Sequence, residues 1–281
     1  MELSKTNELQ IWFNGSYVSR SQPILKAGDL GLHRGYGVFD FFRFVGSQPF
    51  LWDHYFERFK ASAKGLGLEI TYSVEDLKKI CSQLATWQRS DSVGIKMTLT
   101  GGYSVDGYTP ENSNLIITPH ILSPPSGDKY REGFKVITHE YQREMPHIKT
   151  INYLRGIKLL PDLQVAGADD VLYHNKGIIT EFPRSNFFMV RQGRVMTPGN
   201  NILSGITRKS VLSLLQVEER ELDLDLLAQA QEAFLTSTTK GIMPVTQING
   251  RVLNHGGPGP MTRKLMQAFS QLQDQCPPAI P

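Results

Sequence analysis

Apolar residues in this chain keep two rhythms, and the switches between them limit its possible folds more than any other feature. Around Asn14-Gly15, Ile11 and Phe13 on one side and Tyr17 and Val18 on the other alternate with polar residues, the pattern of a β-hairpin. Over residues 54–66, Tyr55, Phe56, Phe59, Ala63 and Leu66 recur at helical spacing, and Gly65 and Gly67 end the run. A chain that repeatedly changes from a period of two to a period near 3.6 presents sheets with one apolar face and helices with one apolar stripe. Such elements bury those faces against each other, so the pattern predicts an α/β architecture.

GVFDFFRF at residues 37–44, a turn at Gly46-Ser47 and residues 49–52 read as a second hairpin, rich in aromatic side chains, after which Asp53 is expected to cap a helix. Residues 74–87 carry Leu77, Ile80, Cys81 and Leu84 at helical spacing, and residues 94–100 and 114–121 read as strands. The stretch LSPPSGDKYRE, residues 122–132, gathers Pro, Ser, Gly and charge, as an interdomain connection does. The expected organisation is therefore an N-terminal α/β lobe at 1–122, a linker at 123–130 and a C-terminal α/β lobe at 131–281. In the second lobe, residues 134–139, 171–174, 178–181 and 187–190 read as strands and 153–165 as a helix. A helix starts near Thr207, a short one covers 224–230, and 233–237 is expected to be the final core strand.

At 281 residues the chain can bury two cores of ordinary size. An apolar fraction of 40% and a charged fraction of 20% exclude the disordered and fibrous classes. With a net charge of +3 and both signs scattered along the sequence, there is no basic stripe for a nucleic acid to follow. Cys81 and Cys276 stand far apart without CxxC spacing, so neither a disulfide framework nor a metal site is expected. The opening MELSKTNELQ has no apolar signal core, and no apolar run approaches the roughly 18 residues that span a bilayer. A cytoplasmic protein with no membrane partner is expected.

Several polar residues stand at the ends of apolar strands, and each has an ordinary reading by itself. Lys149 and Glu181 read as solvated charges, and Arg58 as a cation on a helix surface. Gly205-Ile206-Thr207 reads as a helix cap, while Thr238 and Thr239 read as turn residues satisfying local hydrogen bonds. Their order is more informative. KTINYL at Lys149, ITEFPRSNFFMV at Glu181, ILSGITR at Gly205 and AFLTSTTKGIMPV around Thr238 form a series that resembles the class IV aminotransferases, the fold-type IV pyridoxal-phosphate enzymes. GDLGLHRGYGVFDFFRF and FLWDHYFERFKASAKGLGL resemble the first-lobe signature of the same family, so the likeness runs from Ile11 to Gly250.

That resemblance implies a smaller N-terminal lobe, a larger C-terminal lobe with a barrel-like sheet, and pyridoxal 5′-phosphate as cofactor. Lys149 would be the catalytic lysine, joined to the cofactor as a Schiff base and carrying the proton between substrate Cα and cofactor. This requires an amine available without its proton near neutral pH. Glu181 would face the pyridine nitrogen and keep the ring protonated, so that the ring accepts electrons. Arg58, the start of a helix at Ile206 and Thr207, and Thr238 would hold the phosphate. Tyr153 would reach the ring hydroxyl, and Ser185 and Asn186 would shape the loop after Glu181.

Within the family, the best-known D-amino acid enzymes carry an Arg-x-His pair after the first-lobe strand, whereas GGYSVDGYTP at 101–110 contains neither residue. Lyases acting on aminodeoxychorismate keep a threonine where this chain has Asp40 and Phe41. Lys96 stands where branched-chain enzymes keep an arginine, and Arg34 where many keep a tyrosine that reaches the neighbouring subunit. Lys96 and Arg34 read either as exposed charges or as holders of substrate carboxylates, with Arg34 supplied across a dimer interface and the Thr238 and Thr239 amides assisting. The expectation is a homodimeric transaminase that exchanges an amino acid, branched-chain-like or of D configuration, with a 2-oxo acid. A lyase of the aminodeoxychorismate type and a cofactor- or phosphate-binding protein without turnover are the alternatives, and the presence of Lys149 with Glu181 weighs against the second.

Overall fold

The structure, a computed structural model, describes residues 9–275, so Cys276 and most of the opening segment lie outside the described residues. The chain forms two compact units. One holds the described residues up to Ser123 together with Ile148–Asn152, and the other holds Pro124–His147 and Tyr153–Gln275. The short segment around Lys149 thus belongs with the first unit, although its position in the sequence lies inside the expected C-terminal lobe. Among the described residues no helix is long and apolar enough to cross a membrane.

The first unit contains β1 (Gln10–Phe13), β2 (Ser16–Ser19), α1 (Leu30–Arg34), β3 (Gly37–Val45), β4 (Gln48–Pro49), α2 (Trp52–Gly65), α3 (Val74–Trp87), β5 (Val93–Thr100) and β6 (Asn114–Ile121). The strands form one sheet in the order β2-β1-β6-β5-β3-β4. Its apolar face, with Val38, Phe42, Ile95, Met97, Leu99 and Ile117 all buried, packs with Phe59, Ala63, Leu77 and Leu84 of α2 and α3. The opposite face is half-buried and mixed. Phe39, Phe41, Lys96, Thr98, Thr118 and His120 stand on it, aligned by the pairings Phe41↔Lys96 and Lys96↔Thr118. A segment distant in sequence joins β3: Thr150 bridges Val38, the Phe39 N–H donates to the Lys149 carbonyl at 2.9 Å, and the Ile151 N–H donates to the Gly37 carbonyl at 3.1 Å.

Helix α2 begins at Trp52 rather than after an Asp53 cap. Leu51 takes the cap position in a left-handed conformation with φ 53°, and no side chain caps the helix. Trp52 stacks on Phe56 at 5.6 Å and meets Phe42 edge-on at 5.2 Å, so burial of the indole brings the first turn onto the sheet. Asp53 remains in the first turn, where its charge suits the helix dipole.

Asp29 ties the loop before β3 to the sheet. It is fully buried and accepts hydrogen bonds from the Gly31 N–H, Thr100 Oγ1 and Asn114 Nδ2, each at 2.7 Å. One carboxylate thereby caps α1 and fastens it to β5 and β6.

The second unit contains α4 (Gly127–Glu132), β7 (Phe134–Glu140), α5 (Leu154–Lys158), α6 (Leu160–Ala166), β8 (Asp170–Asn175), β9 (Ile178–Ile179), β10 (Glu181–Phe182), β11 (Ser185–Arg191), β12 (Arg194–Pro198), α7 (Ile206–Leu214), β13 (Val217–Arg220), α8 (Leu224–Leu227), β14 (Glu232–Ser237), β15 (Gly241–Ile248), β16 (Arg251–Val252) and α9 (Pro260–Asp274). Its strands make a ten-stranded sheet in the order β13-β12-β11-β14-β15-β7-β8-β9, with β10 on β11 and β16 on β15. Phe134, Val136, Leu172, Phe187, Leu235 and Met243 belong to its core.

In this unit the structure departs from three sequence expectations. The stretch expected to be a linker folds from Gly127 as α4, capped by Ser126, with no buried side chain to mark it in the hydrophobic pattern. The helix expected over 153–165 divides at Leu159, because Pro161 opens α6 and cannot donate to a preceding turn. The strand expected to be the last is followed by β15, which sits centrally between β14 and β7. Pro244 obscures that strand, and it stands just before the pairing with β7 begins at Val245, so its missing N–H costs no bond there.

Asp29→Ala strands the Thr100 and Asn114 donors inside the protein and should lower stability by roughly 3 kcal/mol in urea unfolding; a loss below about 1 kcal/mol would show that the network is dispensable. His120 titrates below the ordinary histidine range, through burial first and the charges of Arg20 and Lys96 next. The unfolded chain therefore takes up this proton more readily than the folded one, so stability should be full above about pH 7 and decline as pH falls through about 6.5. His120→Gln should flatten that decline in unfolding midpoints taken across the range, and an unchanged slope would contradict the assignment.

Candidate active site

Lys149 is held by its backbone on both sides. Its N–H donates to Ser62 Oγ at 3.1 Å, and its carbonyl accepts from Phe39. The preceding Ile148 is buried against Gly65, where an added Cβ would stand 2.7 Å from Ile148 Cδ1. Gly65 is thus required by this contact as well as by the end of α2. The half-buried Lys149 side chain lies on the mixed face of the sheet, with Nζ 4.5 Å from the centre of the Phe39 ring. Lys96 Nζ approaches the same ring at 4.9 Å, and burial lowers the pKa of its ammonium group.

Arg58 lies one turn before Ser62 on α2, so the helix presents both on one side. Its Nε and Nη2 donate to Asp40 Oδ2 and Oδ1 at 2.9 and 2.6 Å, with Asp40 fully buried and Arg58 nearly so. This bidentate grip fixes the guanidinium plane. Arg34, by contrast, is exposed and donates through Nε to the Gly107 carbonyl at 3.1 Å, so it is not brought to Lys149 by the first unit. The 101–110 loop that it holds is organised by Asp106, which accepts from Thr109, Tyr108 and Ser104. Those bonds, Thr109 foremost, keep the Asp106 carboxyl well below the usual carboxylate range.

In the second unit Glu181 is buried and both of its carboxylate oxygens accept hydrogen bonds. Oε1 accepts from Arg143 Nη1 at 2.8 Å, and Oε2 accepts from the Leu203 N–H at 3.0 Å and Asn186 Nδ2 at 3.4 Å. Asn186 Nδ2 also donates to the Leu203 carbonyl at 2.8 Å, and the Gly205 N–H donates to that carbonyl at 2.9 Å. Glu181 and the start of α7 are therefore one hydrogen-bonded assembly, in which the Asn186 side chain bonds Glu181 and the Leu203 segment before α7 rather than the loop after Glu181. Gly205 occupies the N-cap of α7 without a capping side chain, and an added Cβ would lie 2.0 Å from Asn186 Oδ1. Ile206 and Thr207, both buried, open the helix, leaving the N-terminal N–H groups without intrahelical acceptors. Beside this assembly Ser185 Oγ and Thr236 Oγ1 are buried without a hydrogen-bond partner, and Asn186 pairs with Thr236 across the ladder. Thr238, half-buried, and Thr239, exposed, form the turn after β14. Tyr153 is half-buried at the N-cap of α5.

Two functional partners escape sequence reasoning. Arg143 lies in an irregular stretch, YQREMPHIKT, whose lack of periodicity gives no signal. Asp40 stands out in the sequence only by its difference from a family pattern, and not as the partner of Arg58. A signal for that role exists: it is a carboxylate at an otherwise apolar register of β3, between the buried Val38 and Phe42, and buried charges are paired.

The family model described as Amino-transferase class IV matches residues 37–248. A D-alanine aminotransferase of Bacillus licheniformis is 29% identical over 276 residues, covering 93% of this chain and 96% of that protein. A branched-chain amino acid aminotransferase of the organism abbreviated T.th., solved with pyridoxamine 5′-phosphate, superposes with a TM-score of 0.87 at 25% identity, covering 96% of both chains. The branched-chain amino acid aminotransferase from Escherichia coli gives 0.84 at 25% identity over 94% of each. The likeness extends through both units, including the curled second sheet and the segments that carry Lys149, Glu181 and the start of α7. This chain belongs to the class IV aminotransferase family.

Proposed function

We propose that the protein is a pyridoxal 5′-phosphate-dependent transaminase, cytoplasmic and homodimeric, that exchanges the amino group of a branched-chain-like or D-amino acid with a 2-oxo acid. The observation that carries the proposal is the coupling of buried Glu181 to the uncapped start of α7. A group with a basic ring nitrogen and a phosphate fits these residues: a carboxylate stands at one end, N–H donors at the other, a glycine keeps the approach open, and two buried hydroxyls lack partners beside it. Pyridoxal phosphate supplies there an aldehyde that takes up an amino group and a ring that accepts electrons.

The chain's own groups would then divide the work. Lys149 Nζ would be the amine that holds the cofactor, and it would carry the proton from and back to substrate Cα. Glu181 would pair with the ring nitrogen, held in place by its ion pair with Arg143. The backbone N–H groups of Ile206 and Thr207, the Thr238 turn and Arg58 bind the phosphate, with Asp40 orienting Arg58. Tyr153 bonds the ring hydroxyl. Lys96, with Arg34 from a partner subunit and the Thr238 and Thr239 amides, receives substrate carboxylates. The two subgroups of the proposal match the names of the similar proteins, D-alanine and branched-chain aminotransferases. A homodimer is supported by Leu154, Ile157 and Leu160, apolar side chains exposed on α5 and the start of α6.

Protein incubated with pyridoxal phosphate should turn yellow, and borohydride should fix the cofactor on Lys149; a colourless chain that takes up none would refute the proposal. Lys149→Ala should still bind through the phosphate but lose amino-group exchange. Matched L and D amino acids in a half-reaction assay will separate the two subgroups, while release of pyruvate from aminodeoxychorismate would identify a lyase instead. Arg143→Met leaves Glu181 buried without its cation and should cost about 3 kcal/mol in stability together with weaker cofactor retention. Arg143→Lys should recover part of both, and wild-type retention in the Met variant would remove Arg143 from the site.

A further inference from the structure

Two ammonium groups share one aromatic ring in the first unit. Lys149 Nζ lies 4.5 Å and Lys96 Nζ 4.9 Å from the Phe39 centroid. The backbone places all three side chains on one face of the sheet. Thr150 bridges Val38, so Lys149 points to the side of the sheet that bears Phe39. Lys96 pairs with Phe41, the next residue on that side of β3, so both lysines converge on Phe39 from neighbouring strands. The Phe39 N–H bonded to the Lys149 carbonyl keeps the two in register.

We propose that Lys96 is a positioning residue for charge, which through its place on the shared Phe39 ring disfavours the protonated form of Lys149 and so keeps that amine available as a nucleophile. Like charges held on the same face of a sheet, partly off bulk water, disfavour one another's charged state. Burial by itself lowers the proton affinity of Lys96. Other charges on the packed elements do not substitute for it. Arg58 on α2 is matched by Asp40 at 2.6 Å, and Arg43 lies further along β3, paired with Gly94. His120 on β6 titrates below the ordinary histidine range and is neutral at the pH where Lys149 must react. The functional meaning of the inference rests on the transaminase reading, in which Lys149 carries the cofactor, while its geometry belongs to the first unit alone.

The test is a pH titration of amine reactivity. The full chain without cofactor is labelled with a trace of acetic anhydride at a series of pH values, and the extent of acetylation is read by mass spectrometry on the Lys149 and Lys96 peptides. Lys96→Gln should raise the Lys149 midpoint by about one pH unit, a roughly tenfold rise in proton affinity, and Lys96→Arg should leave it close to wild type. The interaction is reciprocal, so Lys149→Ala should raise the Lys96 midpoint by a similar amount, a reading that stands even where Lys96→Gln fails to fold. Unmoved midpoints would overturn the inference. With cofactor added, the pH at which the visible band changes should move upward in Lys96→Gln as well. A chain that shows the labelling shift but binds no pyridoxal phosphate would uphold the charge coupling and reject the transaminase reading, whereas cofactor uptake with no labelling shift would do the reverse.

Discussion

The attachment of residues 148–152 to the edge of β3 is the contact on which the candidate chemistry depends. Hydrogen bonds between Phe39 and Lys149 and between Ile151 and Gly37, with the Val38↔Thr150 bridge, make a short strand pairing from residues far apart in the sequence. Ser62 of α2 takes the Lys149 N–H, so the lysine backbone is fixed to a strand and to the helix covering it. A backbone anchored in this way fixes the point from which the side chain extends, which is the advantage of a candidate site built on rigid elements. The same pairing determines which sheet face Lys149 shares, and therefore its proximity to Phe39 and Lys96.

Around that anchor, buried charge is handled in one consistent manner. Asp40 takes both forks of Arg58, Arg143 takes one oxygen of Glu181, and Asp29 collects donors from a helix start and two strands. Each carboxylate is removed from water and receives compensating donors, without which burial would cost several kcal/mol. These pairs contribute orientation more than stability. Asp40 fixes the plane of Arg58, and the Leu203 and Asn186 bonds tie Glu181 to the start of α7, so that a carboxylate and a set of helix N–H donors keep a constant spacing. The lysines beside Phe39 are a different case, in which two like charges approach one aromatic ring.

Much of the fold is legible in the sequence because local periodicity and burial agree. The turn at Asn14-Gly15, helix α3 and the strands β5 and β6 follow directly from alternation and helical spacing. Legibility fails where tertiary contacts override the local pattern. Trp52 is pulled into α2 by Phe42 and Phe56, α4 packs only the partly buried Tyr130 against the core, and β15 is concealed by Pro244. For the site, Lys149, Glu181 and Thr207 are marked by the order of their motifs, whereas Arg143 carries no signal because its partner lies 38 residues away and no periodicity connects them.

The sequence by itself determined the α/β class and the family resemblance, and it singled out the candidate site residues, since these depend on residue type, spacing and order along the chain. Only the tertiary structure decided that the Lys149 segment joins the first unit, that Asp40 holds Arg58, that Arg143 pairs with Glu181 while Asn186 ties it to the start of α7, and that Lys96 and Lys149 each approach the Phe39 ring. Each of these is a contact between residues separated along the chain. Hydrophobic periodicity specifies which face of an element is buried, but the partner across that face is set by how the elements pack.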